Sequence, residues 1–274
     1  METAPATDRV LTDGWRAAAA DDHLRRSYTE RDFDDAAWHA VAVPGHWRSV
    51  PAFAGADGPV LYRCRFDAPA PAAGRRSWIT FDGLFYQGDV WLDGGYLGDT
   101  EGYFAPHSFE ITGPLGGSGE HTLAVEVTCS PQRTGAKRSI TGVFQDGDHV
   151  DPAWNPGGIW RPVRLTETGP VRIATLGVVC REATPGRAVL AVRAVLDSDA
   201  ARAVVLRTEV GGLDHEVDQP LAAGTNEVAW TVTVEHPALW WPRALGDATL
   251  HDLRVAVALA DPAPGDERAP RAGA

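Results

Sequence analysis

Hydrophobic residues recur at every second position in several stretches of this chain, and this alternation constrains the fold more than any other feature. In Asn226–Glu235, valines and a tryptophan alternate with threonines and an alanine. The same period of two runs through His121–Thr128, Ala188–Leu196 and His251–Ala260. Alternation of this kind is typical of strands that bury one face, so the pattern predicts an all-β chain.

Turn-forming residues separate the alternating stretches. Examples are Asp82 followed by Gly83, the run Asp93–Gly95 and the run Gly116–Gly119. The 29 glycines and 20 prolines suit many short strands joined by tight turns. Only Trp15–His23 and Phe33–Trp38 are expected to form short helical turns. The expected architecture is therefore β-sandwiches.

The length predicts two sandwiches, because a single immunoglobulin-like sandwich needs only about 100 residues. A turn pair, Gly169 and Pro170, is the expected boundary. We predict a first domain over residues 1–169 and a second over 170–260. The final stretch, 261–274, is rich in proline and has no strand pattern, so it is predicted to be a disordered tail.

Composition excludes several functional classes. The net charge of −12 argues against binding to nucleic acid. No apolar stretch approaches the roughly 18 residues that a membrane span needs. The N-terminal residues lack a basic segment followed by an apolar one, so we expect a cytoplasmic protein.

No metal or cofactor is expected. Three cysteines, far apart and odd in number, suggest neither a disulfide framework nor a cysteine metal site. The histidines lack zinc-binding spacing. The acidic stretch Gln145–Asp151 lacks the register of a calcium loop, so a solvated loop is the expected interpretation.

Four motifs occur in order along most of the chain. They are VAVPGHW at Val41–Trp47, the run FDGLFYQGDVWLDGGYLGDTEGYFAPHSFEI that begins at Phe81, NPGGIWRPVRL at Asn155–Leu165, and ALWWPRALGDATLHDL at Ala238–Leu253. Together they resemble the N-terminal region of glycoside hydrolase family 2, the family of β-galactosidases, β-glucuronidases and β-mannosidases. The resemblance implies a jelly-roll β-sandwich of the sugar-binding type, followed by an immunoglobulin-like β-sandwich.

The resemblance also implies what this sequence does not contain. In the family, a (β/α)₈ barrel follows the two sandwiches and supplies the catalytic glutamates, and it needs about 250 further residues. We therefore expect the non-catalytic N-terminal part of an enzyme that hydrolyses terminal β-linked glycosides, with no catalytic residue of its own. Two alternatives stay open: a stand-alone carbohydrate-binding protein, and a structural module that completes a barrel on another chain.

Partners follow from the same comparison. Carbohydrate is the expected small-molecule ligand. The family pattern places one more strand after the stretch that ends at Leu259, whereas this sequence continues with the proline-rich tail. An exposed edge on the second sandwich would favour self-association or contact with the missing barrel.

Two aspartates are candidate sugar contacts by resemblance. Asp57 lies in the loop GADGPVLYR, where related β-galactosidases offer a polar residue, commonly asparagine, to the bound sugar. An ordinary Asp-Gly turn is the alternative. Asp151 precedes the motif WNPGGIWR, one position farther than the aspartate that reaches the active site in relatives. An extra loop residue would restore its reach.

Tryptophans are candidates for stacking on sugars, because sugar C–H faces pack on aromatic rings. Trp47 and Trp154 flank predicted loops and are the best candidates among the ten tryptophans. Packing in the core is the alternative. Gly157, Gly158 and Arg161 are interpreted as structural: the glycines permit a sharp turn, and the arginine is expected to fix the turn by hydrogen bonds to carbonyls.

Overall fold

The computed structural model describes residues 7–56, 58–116, 119–129 and 157–260. These residues form sixteen strands and four short 3₁₀ helices, with no α-helix among them. The prediction of an all-β chain is confirmed. No helix in the described ranges has the length and apolar character of a membrane span. The predicted tail, 261–274, lies outside the described residues.

The chain divides into two compact units, the first ending at Thr168 and the second beginning at Gly169. The first unit contains ten strands. They are β1 (Thr7–Val10), β2 (Trp15–Ala19), β3 (His39–Ala40), β4 (Val60–Asp67), β5 (Arg76–Phe81), β6 (Gln87–Leu92), β7 (Gly95–Glu101), β8 (His107–Glu110), β9 (Glu120–Thr128) and β10 (Val163–Thr168). The 3₁₀ helices are Leu24–Arg26, Trp47–Ser49, Pro51–Phe53 and Pro114–Gly116.

Two antiparallel sheets build the first unit. One has six strands in the order β3-β2-β4-β9-β6-β7, and the other has four in the order β1-β10-β5-β8. Every second side chain of β4 and β9 points into one core, where Tyr62 and Val125 meet Ile79 and Phe81 of the other sheet. The period of two in the sequence therefore becomes a β-sandwich.

The expected helical turn at Trp15–His23 is wrong. Trp15–Ala19 forms β2, which pairs with β3 and β4, and a 3₁₀ helix begins only at Leu24. Trp15 and Ala17 are buried, but a run of alanines carries too little contrast in hydrophobicity for the alternation to show. Phe33–Trp38 forms no helix either.

A buried arginine fixes the segment that covers the outer face of the six-stranded sheet. Arg63 of β4 has no exposed surface and donates a hydrogen bond to the Asp35 carboxylate at 2.8 Å. Its guanidinium also donates to the carbonyls of Tyr28 and of Glu30. Tyr28 and Trp38 then form a small second core on that face. Ion pairing and several carbonyl acceptors are what a buried guanidinium requires.

The second unit contains six strands. They are β11 (Val171–Ala183), β12 (Arg187–Ser198), β13 (Arg202–Val210), β14 (Leu213–Leu221), β15 (Gly224–Glu235) and β16 (Leu253–Leu259). They form two antiparallel three-stranded sheets, β11-β12-β15 and β14-β13-β16. Leu196, Leu206 and Val232 lie in their common core. Trp230 is also buried there, and its indole N–H donates to the Thr208 hydroxyl at 2.9 Å.

Candidate functional site

Two motifs that are distant in sequence meet at one corner of the first unit. The backbone N–H of Gly45 donates to the Ile159 carbonyl at 2.8 Å, and that of Trp47 donates to the Gly157 carbonyl at 3.1 Å. These bonds join the loop after Val43 to the turn that leads into β10. We call this place the Trp47 corner, defined by Gly45, Trp47, Gly157 and Ile159.

A third segment joins the same corner. Phe85 and Gly158 exchange backbone hydrogen bonds at 2.9 and 3.2 Å. Gly158 has a φ of +114°, in the region that favours glycine. A Cβ atom on Gly158 would lie 3.0 Å from the Tyr62 hydroxyl and 3.1 Å from the Gly45 carbonyl oxygen. There is therefore little room for a side chain at Gly158.

The indole of Trp47 explains why Gly157 is glycine. A Cβ atom at Gly157 would lie 2.1 Å from Cζ2 of Trp47, so the ring rests directly on the backbone. A Cβ atom at Gly58 would lie 3.0 Å from Cη2 of the same ring. The close approach of Trp47 at Gly157 and the positive φ at Gly158 thus both favour glycine.

Trp47 itself is placed differently from the sequence expectation. Its side chain is only 2% exposed, whereas a sugar can stack only on an exposed ring face. Its indole N–H is buried and finds no hydrogen-bond partner among the described residues. The structure therefore argues against a stacking role for Trp47 and makes it the centre of the corner.

Asp57, Asp151 and Trp154 lie outside the described residues, so their roles stay predictions. The described residues next to them meet at the Trp47 corner. Gly58 follows Asp57, and a Cβ atom at Gly58 would lie 3.5 Å from the backbone nitrogen of Cys129 as well as 3.0 Å from the Trp47 ring. Cys129 and Gly157 flank the segment 130–156. The chain therefore reaches Asp57 and this segment from the same place.

Beside this corner lies an aromatic cluster that sequence reasoning missed. We call Tyr103, Phe104 and Trp160 the aromatic platform. The rings of Tyr103 and Phe104 have centroids 4.2 Å apart, and those of Phe104 and Trp160 are 5.6 Å apart. The indole N–H of Trp160 donates to the Tyr103 carbonyl at 3.0 Å. Phe104 is 63% exposed, so the platform presents an open ring to solvent.

Arg161 extends over the platform. Its Cζ atom lies 4.4 Å from the Trp160 ring centroid and 5.9 Å from that of Phe104. Its backbone N–H donates to the Gly83 carbonyl at 3.2 Å. The side chain makes no hydrogen bond to a carbonyl among the described residues, so it does not fix the turn in the expected way. Tyr103 and Phe104 lie in one of the four sequence motifs and Trp160 in another. The fold brings the three rings into contact.

A second, polar surface lies on the outer face of the six-stranded sheet. This outer groove has a volume of about 390 Å³. Asp89 stands directly opposite both Asp99 and Glu126 on the neighbouring strands. Tyr96 is 55% exposed and donates to the Asp89 carboxylate at 2.9 Å, and this hydrogen bond, with some desolvation, raises the pKa of Tyr96 to about 12. The lining residues are Gln87, Gly88, Asp89, Tyr96, Asp99, Thr100, Glu101 and Thr128.

The part of the chain that the structure describes contains no candidate metal site. There, no group of three or more histidine, cysteine, aspartate or glutamate side chains is placed to hold an ion. Cys64 is a buried thiol and Cys180 an exposed one.

The chain is similar to proteins of a known family. Residues 55–160 match the family described as glycosyl hydrolase 2 galactose-binding domain-like. This range includes the outer groove, the aromatic platform and two of the four residues of the Trp47 corner, Gly157 and Ile159. The chain resembles the N-terminal region of glycoside hydrolase family 2. The resemblance inferred from the four motifs is confirmed.

Curated relatives agree with this family 2 assignment. β-Mannosidase B of Aspergillus clavatus is 30% identical over 226 residues, which are 72% of this chain and 26% of that protein. The exo-β-D-glucosaminidase of Hypocrea virens is 29% identical over 220 residues, which are 72% of this chain and 23% of that protein. The chain therefore spans about a quarter of the length of the curated relatives that it matches.

Solved structures share the fold. A putative β-galactosidase from Bacteroides fragilis matches with a TM-score of 0.72 and 21% identity, over 93% of this chain and 39% of that one. The β-D-mannosidase of Dictyoglomus thermophilum matches with a TM-score of 0.69 and 19% identity, over 92% of this chain and 34% of that one. At these identities the likeness concerns the fold alone.

Proposed function

We propose that this chain is the non-catalytic N-terminal part of a family 2 glycoside hydrolase, which scaffolds a catalytic barrel and lends a loop to its sugar site. One observation carries the proposal. The described residues build two β units without an α-helix, and they match only a quarter to two-fifths of their relatives. A (β/α)₈ barrel needs eight helices, so the chemistry belongs to sequence beyond this match.

Retaining hydrolysis of a terminal β-linked glycoside explains the division of labour. It requires two carboxyl groups about 5–5.5 Å apart on either side of the scissile bond, one acting as acid and base and the other as nucleophile. The barrel would supply this pair. The present chain would supply oxygen acceptors for sugar hydroxyls, which position the substrate without taking part in bond cleavage.

The Trp47 corner supports a role for Asp57 and Asp151 in one sugar site. Gly58, Cys129 and Gly157 converge on this corner, so the chain enters the regions of both aspartates from a common rigid base. Side chains carried on loops that a packed scaffold anchors are the usual source of binding groups. We propose that the two carboxylates accept hydrogen bonds from hydroxyls of the same bound sugar.

Substitution of Asp57 tests this role in the longer, barrel-bearing protein that the proposal implies. Asp57→Ala should lower kcat/KM at least about tenfold, since a hydrogen bond to a charged group contributes about 1.5–3 kcal/mol. It should change the unfolding free energy of the 274-residue chain by less than about 0.5 kcal/mol. Asp252→Ala, at an exposed position of the second unit, is the control and should change neither. An unchanged kcat/KM in Asp57→Ala would overturn the role.

The outer groove favours one alternative, a stand-alone carbohydrate-binding protein. It combines an exposed tyrosine ring with amide and carboxylate groups, the residue types that stack on sugars and accept their hydroxyls. Calorimetry of the chain with galactose and mannose separates the two functions. Binding that Tyr96→Ala abolishes would favour the alternative, and the absence of any heat would remove it.

The finer architecture also belongs to the proposal. We assign the first unit as a jelly roll, supported by its six-stranded and four-stranded antiparallel sheets. We assign the second as immunoglobulin-like, supported by its two three-stranded antiparallel sheets. Among the described strands, β11 pairs on one side only, and Leu176, Val178 and Val179 on it are 41–50% exposed. We propose this edge as a contact for a second copy or for the barrel.

A further inference from the structure

The guanidinium of Arg161 differs from the other shielded arginines of the first unit. Seven arginines in the described part of that unit are buried or partly buried. Six of them donate side-chain hydrogen bonds to a carboxylate or a carbonyl: Arg16, Arg48, Arg63, Arg75, Arg76 and Arg164. Arg161 donates to none of the described residues, although the whole chain carries a surplus of twelve negative charges.

Neighbouring groups pack against the Arg161 side chain, but none of the described ones accepts a hydrogen bond from its guanidinium. A Cβ atom at Gly83 would lie 2.8 Å from the Trp160 indole nitrogen and 3.0 Å from Cδ of Arg161, so both side chains rest on bare backbone. The Trp160 ring is fixed by its hydrogen bond to Tyr103. Stacking on an aromatic ring orients a guanidinium and leaves its N–H groups, which lie in its plane, available to an acceptor.

The chemistry of the site defines its ligand. An oriented guanidinium matches a carboxylate, which accepts two parallel N–H donors. Beside it, Phe104 exposes an apolar ring that suits the C–H face of a pyranose. We propose that Arg161, together with Trp160 and Phe104, binds the carboxylate of a sugar acid. The choice of a sugar as the carrier of the carboxylate rests on the proposed function.

Titration of the 274-residue chain with sodium glucuronate at constant ionic strength tests this site. The probe is the indole N–H resonance of Trp160, assigned by Trp160→Phe, with calorimetry as a second readout. Glucuronate should shift this resonance in a saturable way. Arg161→Gln should weaken binding at least tenfold, because a charge-assisted pair is lost. Arg161→Lys should restore only part of the affinity, since lysine lacks the fork of donors.

Matched variants separate the site from general charge effects. Arg26→Gln removes an exposed arginine of the same unit and should leave binding unchanged. Phe104→Ala, at an exposed position, should weaken glucuronate several-fold without lowering the unfolding midpoint. Glucose, acetate and N-acetylglutamate should each bind at least tenfold more weakly than glucuronate.

Several results would overturn the inference. They are the absence of saturable glucuronate binding, equal affinity in Arg161→Gln, and equal affinity for glucose or acetate. Equal affinity for N-acetylglutamate would replace the sugar acid by a polypeptide carboxylate and would also overturn it. None of these results touches the proposed non-catalytic function, because that proposal is decided by hydrolysis assays.

Discussion

The packing of the Trp47 corner depends on glycine, because there is no room for a side chain beside the Trp47 ring. Gly157 supports the indole of Trp47 with its bare backbone. Gly157→Ala forces a methyl group into the ring and should lower the unfolding free energy by about 1–3 kcal/mol or more, the usual cost of overpacking. Gly55→Ala is the control, because a Cβ atom there meets nothing within 4 Å. Equal effects of the two substitutions in urea denaturation would contradict the described packing.

His46 makes the same corner sensitive to pH. Its Nδ1 accepts a hydrogen bond from the backbone N–H of Arg48 at 3.0 Å. Burial, with a smaller contribution from the Arg48 cation, lowers the pKa of His46 below its usual 6.5. Below pH 6.5 the unfolded chain therefore binds more protons at this residue than the folded chain, and this contribution to stability falls as the pH falls.

The expected result is a loss of stability between about pH 7 and pH 5 that depends on His46. His46→Asn keeps an acceptor for the Arg48 N–H but cannot titrate. Its unfolding free energy should therefore decline less over this range than that of the unchanged chain. Parallel pH profiles from chemical denaturation of the two proteins would contradict the assignment.

Trp230 tests the inward face of β15. Its ring is 8% exposed and its N–H binds Thr208. Trp230→Ala should lower the unfolding free energy by about 3–5 kcal/mol, because it removes a large buried ring and leaves a cavity. Ala229→Gly and Thr231→Ala, on the exposed face, bracket the effect of backbone and surface changes. A loss below about 1 kcal/mol in Trp230→Ala would contradict the inward orientation.

At the scale of elements, alternation predicted some strands closely and left others undetected. The stretch His121–Thr128 became β9, Glu120–Thr128, and Ala188–Leu196 became the middle of β12, Arg187–Ser198. In both strands one alternating set of apolar side chains enters the core, Leu123, Val125 and Val127 in β9 and Val192, Ala194 and Leu196 in β12, so the inward face can be identified from the sequence. The alanine-rich β2 shows little such contrast.

Site geometry was less accessible from sequence for a related reason. The sequence placed Trp47 beside a loop, but its burial depends on Gly58 and Gly157, which are distant along the chain. Arg161 meets Phe104 only because the Gly157–Gly158 turn and the loop after β7 lie side by side. Contacts of this kind join residues that are distant along the chain, so local sequence patterns do not predict them.

The edge strand β11 carries a prediction of its own. Val178 and Val179 are 41% and 50% exposed on a strand that pairs on one side among the described strands. We expect concentration-dependent association of the chain in analytical ultracentrifugation. Val179→Lys should weaken it several-fold, because a charge on an edge opposes strand pairing, whereas Val179→Thr should not. A monomer at all concentrations would contradict self-association through this edge.

At the scale of the whole molecule, the order of the four motifs carried more information than any one of them. Each motif alone is a weak signal, but their order and spacing over most of the chain indicated the family whose description residues 55–160 then matched. The family resemblance explains the two β units without requiring chemistry from either of them. Under the proposed function, a barrel would carry out the chemistry and this chain would support it.

Hydrolysis by the chain alone tests this central claim most directly. The purified 274-residue protein should release no p-nitrophenol above background from p-nitrophenyl β-D-mannoside, β-D-galactoside or β-D-glucuronide. Turnover that stays with the protein through successive purification steps, and that saturates with substrate, would show a catalytic centre within the chain and would contradict the account.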